Sequence, residues 1–138
     1  QAVLEMRHEQ FGKWFSGRML EIARECYQDD PYGKLSAMFD AVGEWIHSDT
    51  FFGCNFINAS AEFSDLDHPI HRYSALHKRE WSEYIQGFIP NVSEEQSVEL
   101  AKDILLLLEG AIVCAHTSGM KDSAERAKHM MLRLLGRS

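Results

Sequence analysis

Seven histidines in 138 residues make metal ligation the first chemistry to weigh. His68 and His71 stand three apart, which places both imidazoles on one helix face, and Asp65 and Asp67 offer carboxylate oxygens nearby. His77 lies six positions beyond His71 and is turned to the opposing direction. The Asp-Leu-Asp-His-Pro run is explained adequately by a helix start, with Asp67 capping ahead of Pro69, so no metal site is expected. Cys26, Cys54 and Cys114 are odd in number and widely spaced, with no CxxC pair. That usage argues against a disulfide framework and a thiolate zinc site, and it fits a cytoplasmic location. The sequence contains no GxSxG, no HExxH and no phosphate-cradling glycine loop, while Glu62 and Glu80 are single carboxylates without an acid partner. No catalytic residue, cofactor or enzymatic activity is expected.

Among the histidines, His77 carries the most information. It shares a helix face with Ser74, Trp81 and Tyr84 rather than with Arg72, Arg79 and Glu83. Two readings stay open: a core histidine bonded to its neighbours, or a polar group set in an aromatic-walled cavity where it orients a ligand. Large rings fall on inward stripes along most of the chain, and six methionines make such a wall adaptable. Phe15, Phe39, Phe56, Phe63, His77, Trp81 and Leu108 are the candidate pocket residues, each placed by inward helical phase. A filled core and a cavity write the same pattern.

The elements that must hold these residues are helices. Phe11, Phe15, Met19, Ile22 and Cys26 continue a stripe that begins at Leu4 and His8. The turn QDDPYG follows, with Asp30 as a cap and Pro31 as the first position of the next helix, whose stripe is Leu35, Met38, Phe39, Val42, Trp45 and Ile46. After the breaker SDTFFG, a short helix is expected from Cys54 to Phe63, then a longer one from about Pro69 to Gly87. Ser93 and Gln96 stand at capping-box spacing ahead of a helix from Glu94 to Thr117, which Gly119 ends. A last helix runs from Ser123 to Leu135. The expected fold class is all-α, with about six helices in one domain over residues 1–138.

The segment ELAKDILLLLEGAIVCAH is apolar on two sides. At about 100° per residue, Leu100, Ile104, Leu108, Ala111 and Ala115 share one face, while Leu106, Leu107, Gly110, Val113 and Cys114 share a broadly opposite one. A helix with two apolar faces is buried on two sides. One side serves the domain's own core, so the other is expected to meet a second subunit, joined by Ala127, Met131 and Leu134 of the last helix. Two such helices from each protomer would make a four-helix bundle across a two-fold axis.

Composition narrows the partners. The net charge of -7 repels phosphate backbones, which makes this stretch a poor binder of nucleic acid. There is no apolar run of about 18 residues to span a membrane. Inward charges form no conspicuous cluster, which favours an apolar or aromatic effector over a highly charged one. The chain starts without Met and within a helical pattern, as expected of a fragment.

Gly53-Cys54, Phe56-Ile57-Asn58, Ala61-Glu62-Phe63 and Asp67-His68-Pro69 together resemble a pattern of the regulatory domain of TetR-family transcriptional regulators. LAKDILLLLEGAIVCAHTSG is similar to that family's dimerisation helix, with Glu109-Gly110-Ala111 at its centre, and DDPYGKLSAMFDAVGEWI looks like the preceding helix of the domain. The resemblance implies a homodimeric, bacterial effector-sensing domain whose helical cavity takes a small molecule, most simply in a repressor. Residues 1–28 resemble the helix that links such a domain to an N-terminal helix-turn-helix, which this sequence lacks, so DNA would be contacted only through that absent unit. Phe11, Phe15 and Arg18 would then transmit the effector signal. The competing expectation is a helical interaction module with a solid core, whose only activity is pairing.

Overall fold

The computed structural model describes residues 2–51 and 69–136. Among them are five helices and no strand: α1 (Ala2–Cys26), α2 (Gly33–Ile46), α3 (Pro69–Gln86), α4 (Glu94–Ser118) and α5 (Ser123–Leu134). The all-α class is as expected, and the helix expected at Cys54–Phe63 lies outside the described residues.

Helix α2 is the centre of the domain. Nine of its fourteen residues are buried, which is too many for one face, so it packs on more than one side. α1 lies against it, as do α4 and α5, while α4 also carries α3 and α5. Leu35, Ala37, Met38, Ala41 and Ile46 are wholly enclosed, and Phe39 nearly so. Burying a side chain such as Phe39 contributes about 1.5–3 kcal/mol. From the flanking helices, Phe15, Met19 and Ile22 of α1, Ile85 of α3, Ile104 and Leu108 of α4, and Met131 of α5 complete one core.

The start of α2 differs from the sequence expectation. The Asp30 carboxylate accepts the Tyr32 N–H at 2.9 Å and its carbonyl accepts the Gly33 N–H at 2.9 Å. Asp30 therefore closes a local turn instead of capping a helix that begins at Pro31, and the helix starts at Gly33. The turn is tight. A Cβ on Gly33 would stand 2.6 Å from the Tyr27 Cβ and 2.9 Å from the Tyr27 carbonyl oxygen.

Polar bonds fix the other junctions. Ser93 and Gln96 form the expected capping box, and Gly119 ends α4 in the left-handed region at φ 67°. Ser97 Oγ donates to the Glu94 carbonyl and accepts from Gln86 Nε2 at 3.0 Å, which joins the end of α3 to the start of α4. The buried Ser123 hydroxyl donates to the Ala111 carbonyl at 2.7 Å, seating α5 on α4. Lys121 reaches back to the Ile46 carbonyl at 3.3 Å, a cation at the C-terminal end of α2.

Because Gly33 has no room for a methyl group, Gly33→Ala should lower unfolding free energy by about 1–3 kcal/mol, measured by urea denaturation. Equal stability of variant and parent would mean that the turn against Tyr27 is not rigid.

Candidate functional site

Rings line the contact of α1 with its neighbours. Phe15 meets Trp81 of α3 edge-on, with centroids 5.2 Å apart, so two of the expected pocket residues touch directly. From Trp81 the chain of edge contacts continues through Tyr84 to Phe88. On the other side Phe11 stacks near Phe15 and stands 4.6 Å from Trp45 of α2, which in turn meets Phe51. The rings bridge α1, α2 and α3. Edge-to-face pairs of this kind each add about 0.5–1.5 kcal/mol beyond the area they bury.

His77 lies one turn before Trp81 and is half-buried, with Nδ1 3.4 Å from the Glu80 carboxylate. Glu80, which has no partner visible from sequence, therefore has one in the fold. Phe39 and Leu108 are buried in the core on α2 and α4. Phe56 and Phe63 lie outside the described residues, as do Asp65, Asp67 and His68. Two surface hollows are walled by described residues. One, of about 360 Å³, lies between α2 and α5 beside Phe39, Asp40, Gly43, Lys121 and Lys128. The other, of about 350 Å³, lies where the turn after α1 meets the end of α3, beside Leu20, Tyr27, Lys34 and Phe88. Of the expected pocket residues, Phe39 alone borders either hollow.

Two polar clusters escaped the sequence reading. Arg18 grips Glu44 of α2 through Nε and Nη2 at 2.7–3.0 Å, and its Nη1 reaches Glu21 at 3.4 Å. The hydrogen bond to Glu44 holds the guanidinium proton more tightly than usual, and the same bond lowers the Glu44 carboxyl below its ordinary value. One turn earlier on α2, Asp40 accepts from the Tyr27 hydroxyl at 2.5 Å and from Lys128 of α5 at 2.8 Å. Lys128 also approaches the Tyr27 oxygen at 3.4 Å. Burial raises the Tyr27 pKa, and the bond to Asp40 adds to it. Burial works against the Lys128 charge, but the bond to Asp40 and its negative charge outweigh that and leave the ammonium pKa raised.

The outer surface of α4 is the third feature. Ser97, Ala101, Ile104, Leu108, Ala111 and Ala115 form its buried stripe. Opposite them Leu106 is 69% exposed and Gly110 is exposed, flanked by half-buried Leu107, Val113 and Cys114. Beside this strip α5 shows Met130 and Leu134, 45% and 49% exposed. Ala127 and Met131, expected on the same outer face, point instead into the protomer's own core at 5% and 0% exposure. Their i,i+4 spacing follows the stripe that seats α5 on α2 and α4.

The Tyr27–Asp40–Lys128 cluster has a direct pH consequence. Both raised groups bind their protons more tightly folded than unfolded. Its contribution is therefore full below the ordinary values of 10.0 and 10.5 and is lost as pH rises through the higher folded values. Urea unfolding between about pH 9 and about pH 11 should show stability falling less steeply in the Tyr27→Phe/Lys128→Met double variant than in the parent. Identical slopes would contradict the assignment.

Comparison with known proteins gives consistent results. A family model described as "Tetracyclin repressor-like, C-terminal domain" matches residues 31–131. The HTH-type transcriptional regulator YjdC of Escherichia coli (strain K12) is 26% identical over 104 residues, covering 75% of this chain and 52% of that protein. The Shigella flexneri protein of the same name matches to the same extent. The chain thus spans about half the length of these curated relatives. The crystal structure of a TetR-family transcriptional regulator from Streptomyces coelicolor superposes with a TM-score of 0.76 at 20% identity, covering 96% of this chain and 69% of that one. At that identity the likeness speaks for the fold.

Proposed function

Because the chain belongs to the family of tetracycline-repressor-like C-terminal domains, we propose that it is the effector-sensing and dimerising part of a bacterial transcriptional regulator, most simply a repressor. The outer face of α4 carries the dimer half of this reading. A leucine 69% exposed beside an exposed glycine, with Met130 and Leu134 alongside, is a surface suited to close approach by an identical helix pair. The contact surface is made of Leu106, Leu107, Gly110, Val113, Cys114, Met130 and Leu134, while Ala127 and Met131 support it from beneath. Pairing these faces about a two-fold axis fixes the separation of whatever each protomer carries ahead of α1. YjdC is an HTH-type transcriptional regulator, and in this proposal a unit of that type is what the pairing spaces. The same role here belongs to the whole protein.

The edge contact of Phe15 with Trp81, between α1 and α3, supports the sensing half. An apolar or aromatic molecule that parts this edge contact would displace α1, and a ligand that prefers the displaced state by a few kcal/mol would shift the population. His77, one turn from Trp81, offers a polar group to orient it. The competing reading is a solid pairing module, in which Phe15, Phe39 and Leu108 simply fill the core. A thermal-shift screen with planar aromatic compounds separates the two. A sensing domain should be stabilised by a member of the screen, with the effect lost in Trp81→Ala, whereas a solid module shows no ligand-dependent shift.

For the dimer face, Leu106→Glu should convert the protein to a monomer in light scattering while leaving unfolding free energy of the protomer within about 0.5 kcal/mol. Placing two carboxylates at the centre of the interface should raise the dimer dissociation constant about a hundredfold or more. A variant that still scatters as a dimer would move the interface elsewhere.

A further inference from the structure

α1 rests on α2, whereas α5 rests on α2 and α4, so the first and last helices belong to different packing layers. The Tyr27–Asp40–Lys128 cluster crosses between those layers. Tyr27 is the residue next after α1, Asp40 lies mid-way along α2, and Lys128 lies mid-way along α5. The carboxylate takes the phenol through Oδ2 and the ammonium through Oδ1, so a shift of either partner strains the other. The site is half-buried, with Asp40 and Lys128 side chains 28% and 19% exposed, so water competes with these bonds less than at an open surface pair.

We infer that Asp40 couples α1 to α5. A displacement at the end of α1 pulls Tyr27 from Oδ2, frees the carboxylate to turn, and loosens Lys128 on the helix that supports the outer face of α4 and α5. Arg18 and Glu44, one turn further along α2, act differently. They hold α1 to α2 alone, and their bonds reach neither α4 nor α5. The two carboxylates of α2 therefore divide the work: Glu44 holds the middle of α1 to α2, and Asp40 ties the residue that follows α1 to α5. The regulatory meaning rests on the proposed sensing and dimer reading. The coupling is a property of one protomer and stands apart from it.

Hydrogen–deuterium exchange on the full chain tests the coupling by its reciprocity. Tyr27→Phe removes one hydroxyl and should speed exchange in residues 124–132 by about threefold or more. Lys128→Met should do the same for residues 20–27. Arg18→Gln should loosen α1 while leaving residues 124–132 unchanged. If the Tyr27→Phe effect stays within residues 20–33, or if Arg18→Gln loosens α5 equally, Asp40 is not the coupling residue. Light scattering on the same samples reads the dimer separately, so a monomer with reciprocal exchange changes would sustain the coupling and sink the dimer reading.

Discussion

Burial of α2 on more than one side is the constraint on which the other features depend. A fourteen-residue helix with nine buried residues cannot tilt or slide without opening contacts to α1, α4 and α5 together. That makes α2 the fixed reference of the domain. What moves must move against it, and the polar groups on its rim decide how. Asp40 and Glu44 are one turn apart on that rim, and between them they hold the first helix at two levels.

The contrast between the aromatic and ionic contacts of α1 gives the domain its mechanical character. Edge-on ring contacts are each worth about 1 kcal/mol and persist over a range of ring separations, whereas a two-nitrogen grip on one carboxylate has a narrower geometry. α1 packs along α2 but meets α3 at few points, so it parts more readily from Trp81 of α3 than from α2. An effector wedged at Phe15 would turn α1 about its attachment to α2 instead of detaching it. The exposed Arg18–Glu44 pair adds little to total stability, since surface ion pairs contribute at most about 1 kcal/mol. Its importance is in direction.

Much of this was legible in the sequence. The stripe of α1 from Phe15 to Ile22, the stripe of α2, the Ser93–Gln96 capping box, the stop at Gly119 and the buried face of α4 all follow from local spacing, and local spacing is what a helix obeys, although Cys26, expected on the α1 stripe, is exposed. The Asp30 turn was misread because Pro31 suits a helix start in general, while the choice here is made by Tyr27 packing where a Gly33 side chain would go. Ala127 and Met131 share a face, as read, but phase alone does not say whether a face meets its own protomer or another. Tyr27, Asp40 and Lys128 were invisible for a simpler reason: Tyr27 and Asp40 are 13 positions apart, and Lys128 lies 88 positions from Asp40. The pocket is expected from inward rings alone, and among the described residues Phe15 and Trp81 are a ring pair of candidates that meet across two helices.

The central claim is that the outer strip of α4, with its exposed leucine and glycine, is covered by a second copy of the same chain. Sedimentation equilibrium of the unmodified protein at micromolar concentration measures this without labels or substitutions. The account predicts a mass twice the 15.8 kDa of one chain. A mass of one chain across that range would leave the strip uncovered and contradict the account.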